Sequence, residues 1–162
     1  MRIIILMGVS GCGKTLVGGR LAEALQCPFY DGDDFQPQHN LEKMGQGMPL
    51  NDRDRRPWLA ALRNLLVGLK AKQGRAVLAC SALKQDYRDL LADGLEGIRF
   101  VYLKAGYAVL EDRLKRRAGH YFKVGLLGSQ FEILEEPADA LVVDANAAAE
   151  SVVAAVLAGL AE

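Results

Sequence analysis

One stretch near the start of the chain restricts the fold more than any other. Gly8-Val9-Ser10-Gly11-Cys12-Gly13-Lys14-Thr15 fits the pattern G-x-x-x-x-G-K-[ST]. A chain of 162 residues matches that pattern by chance on the order of once in a hundred. The context sharpens it. Ile3-Ile4-Ile5-Leu6-Met7 just upstream is a continuous apolar run, as expected of a strand covered on both faces. Val17, Leu21 and Leu25 downstream recur at spacing four, marking a helix from near Lys14 to before Pro28. A strand that feeds a glycine loop and then a helix N-terminus aims backbone amides and the helix dipole at an anion. Gly11 and Gly13 permit the tight ring, and the amides from Gly8 through Val9, Ser10 and Cys12 complete the cradle. Lys14 is spaced to reach the β and γ phosphates of a nucleoside triphosphate, and the Thr15 hydroxyl to bind magnesium.

The rest of the chain alternates in the same way. Phe29 to Asp31, Ala76 to Cys80, Ile98 to Leu103 and Ala140 to Asp144 read as further strands, the first at an edge where Pro28 is tolerated. Between them lie helical patterns: Trp58 to Leu69 with Pro57 in the first turn and Gly74 beyond the end, Gln85 to Leu91, Tyr107 to Ala118 closed by Gly119, a short one through Leu127, Phe131 and Leu134, and a last one along Val152 to Leu160. This alternation implies an α/β sandwich on a five-stranded parallel sheet, with the ligand beyond the carboxyl ends of the strands. The length suits one domain, residues 1–162.

Composition narrows the function. Twenty Lys and Arg balance twenty Asp and Glu, so no basic field collects nucleic acid or anionic lipid. No apolar run approaches the ~18 residues of a membrane span. The apolar start lacks a small-residue cleavage pattern and reads as a buried strand rather than a leader. Cys12, Cys27 and Cys80 are too few and too irregularly spaced for a disulfide framework or a metal site, which points to a reducing, cytoplasmic setting. The guanine-reading N-K-x-D and the γ-phosphate-sensing D-x-x-G are both absent from the sequence, which argues against a GTPase switch. The Ala76 to Cys80 strand leads into Ser81-Ala82-Leu83-Lys84 without the acid that motors place there.

The acids lie elsewhere. Asp31 and Asp33 follow the second strand, and alternate residues of an extended segment share a face. One suits the magnesium shell, and the other suits accepting the proton of an attacking hydroxyl. Arg113, Arg116 and Arg117 fall at three- and four-residue spacings near a helix end. The stretch 118–125 after them is framed by Gly119 and Gly125, so residues 117–127 read as a lid whose arginines stabilise transition-state charge. The polar, Gly- and Asp-rich residues 32–56 read as a substrate-binding excursion.

The pieces Leu6 to Lys14, Asp31-Gly32-Asp33, Asn40 to Met44, Gly47 to Asp52, Asp54 to Leu59, Cys80 to Lys84, Tyr87-Arg88-Asp89 and Ser129-Gln130-Phe131 together resemble the gluconokinase family of small P-loop sugar-acid kinases, in order and spacing, over roughly residues 3–144. The resemblance implies the P-loop kinase form of the three-layer α/β/α sandwich. It also implies transfer of phosphate from ATP, with Mg2+, to the terminal hydroxyl of D-gluconate by a cytoplasmic homodimer. On that reading Lys14, Asp33 and Arg117 are catalytic, Arg113 is on the nucleotide, and Thr15 and Asp31 are on the metal. Gluconate carries one carboxylate and many hydroxyls, so Asp33, Gln36, Arg53, Arg56, Ser81, Lys84 and Arg88, with His120 from the lid, are the candidates to hold it. Two positions depart from the family pattern: Cys12 stands where serine is more common, and Gln36 where histidine is. The competing readings are a kinase for shikimate or a nucleoside monophosphate, and a nucleotide-dependent regulator without phosphotransfer.

Overall fold

The computed structural model describes residues 2–117 and 125–162. Most of the predicted lid, and His120 with it, lies outside the described residues. Five strands, β1 (Ile3–Met7), β2 (Phe29–Asp31), β3 (Ala76–Ala79), β4 (Ile98–Lys104) and β5 (Leu141–Asp144), form one sheet in the order β2-β3-β1-β4-β5. Every pairing is parallel, with Ile5 opposite Leu78 on one side and Phe100 on the other. The helices are α1 (Lys14–Ala24), α2 (Gln38–Gly45), α3 (Asp52–Ala71), α4 (Gln85–Ala92), α5 (Tyr107–Arg116), α6 (Leu126–Ile133) and α7 (Ala149–Ala161). Among the described residues no helix is long and apolar enough to cross a membrane.

Every residue of β1 is buried because each face of the sheet carries a helical layer. Ile4 and Leu6 pack with Val17 and Leu21 of α1, Leu110 of α5 and Val152 and Val156 of α7. Ile3, Ile5 and Met7 pack with Trp58, Leu62 and Leu66 of α3 and Leu91 of α4. Each fully buried aliphatic side chain contributes roughly 1.5–3 kcal/mol. The two half-cores therefore fix the central strand rigidly, and the loop leaving it inherits that position. β2 is an edge strand, as the adjacent Pro28 suggests.

Two differences from the sequence reading fall in the 32–56 region. Helix α3 starts at Asp52, five residues before Pro57. A capping box decides this: Asn51 Oδ1 accepts the Asp54 N–H at 2.8 Å, and Asp54 Oδ2 accepts the Asn51 N–H at 3.0 Å. Pro57 removes one helical bond in the second turn, which the cap and the buried Trp58 and Leu59 outweigh. The other difference is α2, which has too few apolar residues to be periodic; Met44 and the buried Asn40 hold it down.

Candidate active site

The phosphate loop bridges β1 and α1 at the carboxyl edge of the sheet. Gly13 caps α1 with φ 97°, a left-handed conformation that a side chain would strain. Lys14 Nζ donates to the carbonyls of Gly8 at 2.8 Å and Val9 at 3.1 Å, curling over the loop, with Cys12 Sγ 3.7 Å away. The Gly8 N–H donates to the Ser81 carbonyl, so the segment just after β3 supports the loop. Cys80 is buried there, and burial pushes its thiol up to about 12, leaving it an inert packing group at neutral pH.

The acids are arranged differently from an extended pair. Asp31 ends β2, but Asp33 sits in a 3-10 turn, Gly32–Phe35. Asp31 Oδ1 caps that turn by accepting the Asp33 N–H at 2.9 Å, while its Oδ2 accepts the Thr15 hydroxyl at 2.8 Å. Hence both acids line the same cavity through a turn, and not through strand alternation. Gly32 makes the turn possible: a Cβ there would stand 2.5 Å from the Ala79 carbonyl oxygen. Trp58 Nε1 donates to the Gly32 carbonyl at 2.7 Å, tying the turn to α3.

The cavity is lined by the loop residues Ser10, Gly11, Gly13, Lys14 and Thr15. Asp31, Asp33, Gln36, Arg55, Ser81, Arg117, Ser129 and Gln130 line it with them. Gln36 Oε1 accepts from Asn40 Nδ2 at 2.9 Å, which leaves the Gln36 amide nitrogen as its donor. Thr15 and Asp31 carry hard oxygens of the kind that could hold Mg2+, which takes one or two protein oxygens and completes its shell with phosphate and water. Among the described residues no group of three or more His, Cys, Asp or Glu could cage a metal by itself.

A family model described as shikimate kinase matches residues 10–158. The thermoresistant gluconokinase of Escherichia coli K12 is 46% identical over 159 residues, 96% of this chain and 91% of that protein. The thermosensitive gluconokinase of the same organism is 48% identical over 133 residues, 82% of this chain and 71% of that protein. The chain belongs to the gluconokinase family. A gluconokinase from Sinorhizobium meliloti 1021, known as a crystal structure, superposes with a TM-score of 0.88 at 42% identity, covering 99% of this chain and 91% of that one.

Within this gluconokinase-family site, the cationic candidates separate. Arg117 lines the cavity. Arg113 instead donates to the carbonyls of Gly11 at 3.3 Å and Ala145 at 2.8 Å, bracing the loop against the segment after β5. Arg116 pairs with Asp112 on its own helix. Arg53 and Arg56 are exposed and outside the cavity lining, whereas Arg55, which sequence reasoning passed over, is inside it. Arg55 lies one turn beyond the Asn51 cap, and its Nη1 donates to the Leu50 carbonyl at 2.7 Å.

Lys84 and Arg88 do not line the cavity either. Lys84 pairs with Asp52 at 3.0 Å, and Asp52 also accepts the Tyr87 hydroxyl. The Tyr87 and Lys84 hydrogen bonds hold the Asp52 carboxyl below the usual carboxylate range. Arg88 is only 2% exposed and donates to the carbonyls of Ala82 at 2.8 Å, Leu83 at 3.1 Å and Glu135 at 2.8 Å. It clamps the loop after β3 to the segment after α6. Asn40 and Gln130 fall in motif pieces that carry the family resemblance, but the sequence assigns them no role; the structure bonds Asn40 to Gln36 and the Asp54 carbonyl, and Gln130 to the Ser10 N–H.

Proposed function

We propose that the chain transfers the γ-phosphoryl group of ATP, with Mg2+, to the terminal hydroxyl of D-gluconate, giving 6-phospho-D-gluconate for central carbohydrate metabolism. The observation that carries this reading is the single cavity that sets a phosphate loop against Asp33, Gln36, Arg55 and Ser81. Those groups offer one cation and several short donors and acceptors, suited to a polyhydroxy carboxylate. The similarity to gluconokinases over most of the chain supports the same acceptor.

In this mechanism Thr15 and Asp31 hold the metal, which neutralises the phosphate oxygens when bound. Lys14 exchanges its two loop carbonyls for β and γ phosphate oxygens. Asp33 accepts the proton of the sugar-acid hydroxyl as its oxygen bonds to phosphorus and the bond to the ADP oxygen breaks. Arg117 neutralises charge developing on the transferred group. Arg113 acts on the nucleotide side by bracing Gly11, while Lys84 and Arg88 act on the fold around the site, through Asp52 and through the carbonyls of Ala82, Leu83 and Glu135. A single domain over residues 1–162, a lid over 117–127 with His120 on the acceptor, a homodimer and a cytoplasmic location complete the reading. The three free cysteines, Cys12, Cys27 and Cys80, fit a reducing compartment.

The test is ADP release measured across gluconate, other aldonates, shikimate and nucleoside monophosphates. Preference for gluconate supports the reading. Preference for shikimate, the substrate named by the matching family model, or ADP release with no acceptor at all, overturns it.

A further inference from the structure

The Ser10 N–H, at the lip of the phosphate loop, donates to Gln130 Oε1 at 2.8 Å across 120 residues of sequence. A backbone N–H only donates, so the oxygen of the carboxamide must face Ser10 and Nε2, with its two hydrogens, must face away. Nε2 has no hydrogen-bond partner among the described residues. Gln130 lines the cavity together with Lys14, Thr15, Asp31 and Asp33.

The helix that carries it is braced. Leu126 and Leu127 of α6 are buried, the Glu135 N–H just past its end donates to the Leu83 carbonyl at 2.9 Å, and the Glu135 carbonyl accepts from Arg88 at 2.8 Å. A side chain on so fixed a base holds its partner in one place, and small misplacements at a reacting centre are expensive in rate.

We propose that Gln130 is a further residue of the phosphoryl-transfer site. Its Oε1 fixes the Ser10 peptide, and the donor Nε2, oriented by that bond, serves the oxygens of the transferred phosphoryl group. The second duty rests on the phosphotransfer reading above; the first does not.

Two variants separate the duties. Gln130→Met keeps the length and removes both polar atoms, whereas Gln130→Glu keeps an acceptor for Ser10 and replaces the donor with an anionic oxygen. Amide hydrogen exchange read by NMR on the nucleotide-free chain reports on Ser10 directly. In Gln130→Met the Ser10 amide should exchange roughly tenfold faster while the amides of β1 and α1 do not change. Turnover should fall roughly tenfold to a hundredfold at an unchanged thermal midpoint. In Gln130→Glu the Ser10 amide should stay protected, turnover should still fall, and the Michaelis constant for ATP should rise through repulsion.

Unchanged Ser10 exchange in Gln130→Met overturns the anchoring role. Wild-type turnover in Gln130→Glu overturns the donor role, as does a loss confined to the Michaelis constant for gluconate. The exchange measurement needs no acceptor, so it judges the anchor whatever sugar acid the wild-type chain phosphorylates.

Discussion

Thr15 Oγ1 donates to Asp31 Oδ2 at 2.8 Å, joining the last residue of the phosphate loop to the last residue of β2. β1 and β2 are not neighbours; β3 lies between them, and the contact spans it at the carboxyl edge of the sheet. An oxygen from the first turn of α1 and one from the end of β2 are thus held together at this edge, and both would be available to a magnesium ion. Asp31→Asn keeps an acceptor for the Asp33 N–H and loses the charge. It should raise the Mg2+ concentration for half-maximal turnover about tenfold, or ~1.4 kcal/mol. A magnesium titration at saturating ATP checks this, and an unchanged requirement would leave Asp31 as a turn cap alone.

Asp33 occupies the turn that Asp31 caps and lines the same cavity as Lys14. Asp33→Asn keeps its shape and loses its basicity. Turnover should fall by about a hundredfold or more, in the range of a lost general base, while ATP affinity measured by calorimetry stays within about threefold. An equal loss of ATP affinity would move Asp33 into the metal shell.

Arg55 and Arg53 are two residues apart on α3 and differ in direction: Arg55 lines the cavity and Arg53 is exposed. Arg55→Met should raise the Michaelis constant for gluconate about tenfold, the loss of one charge-assisted hydrogen bond, and leave that for ATP nearly alone. Arg53→Ala should change neither. Steady-state kinetics with each substrate varied in turn separates the two.

Arg88 is a stability residue. Its removal strands the carbonyls of Ala82, Leu83 and Glu135 in a buried setting. Arg88→Met should lower unfolding free energy by roughly 2–4 kcal/mol, read from the urea midpoint at constant slope. The folded variant should keep its Michaelis constant for gluconate. A selective rise in that constant at full stability would return Arg88 to the substrate pocket.

Acid should loosen the α2–α3 junction first. The Lys43 ion pair, then the Asn51 N–H, hold the Asp54 carboxyl below its ordinary value. An unfolded-chain Asp titrates near pH ~3.9, so this stabilisation is fully present above that pH. It is lost as pH falls through the lower folded value. Thermal midpoints from pH 7 down to pH 3 should drop less steeply in Asp54→Asn, which is already weakened at pH 7. Parallel acid limbs would show that Asp54 does not carry this dependence.

The local parts of this protein were legible in its sequence because they rest on local rules. A glycine-lysine loop between an apolar run and a four-residue periodicity specifies a strand, an anion cradle and a helix in order, and β1, Gly8 to Thr15 and α1 stand where those rules put them. The alternation of strands and helices likewise fixed a parallel sheet, with β2 at its edge. What sequence could not decide was direction. Arg53, Arg55 and Arg56 are alike in composition, and only the Asn51–Asp54 cap, by starting α3 early, sets which of them turns inward. Lys84 and Arg88 have the chemistry of a substrate site, yet Asp52 and three buried carbonyls claim them first. Ser10 and Gln130 are 120 residues apart, and no local pattern encodes their bond. A side chain's role follows from which partners compete for its polar atoms, and the folded chain assembles those partners from distant segments.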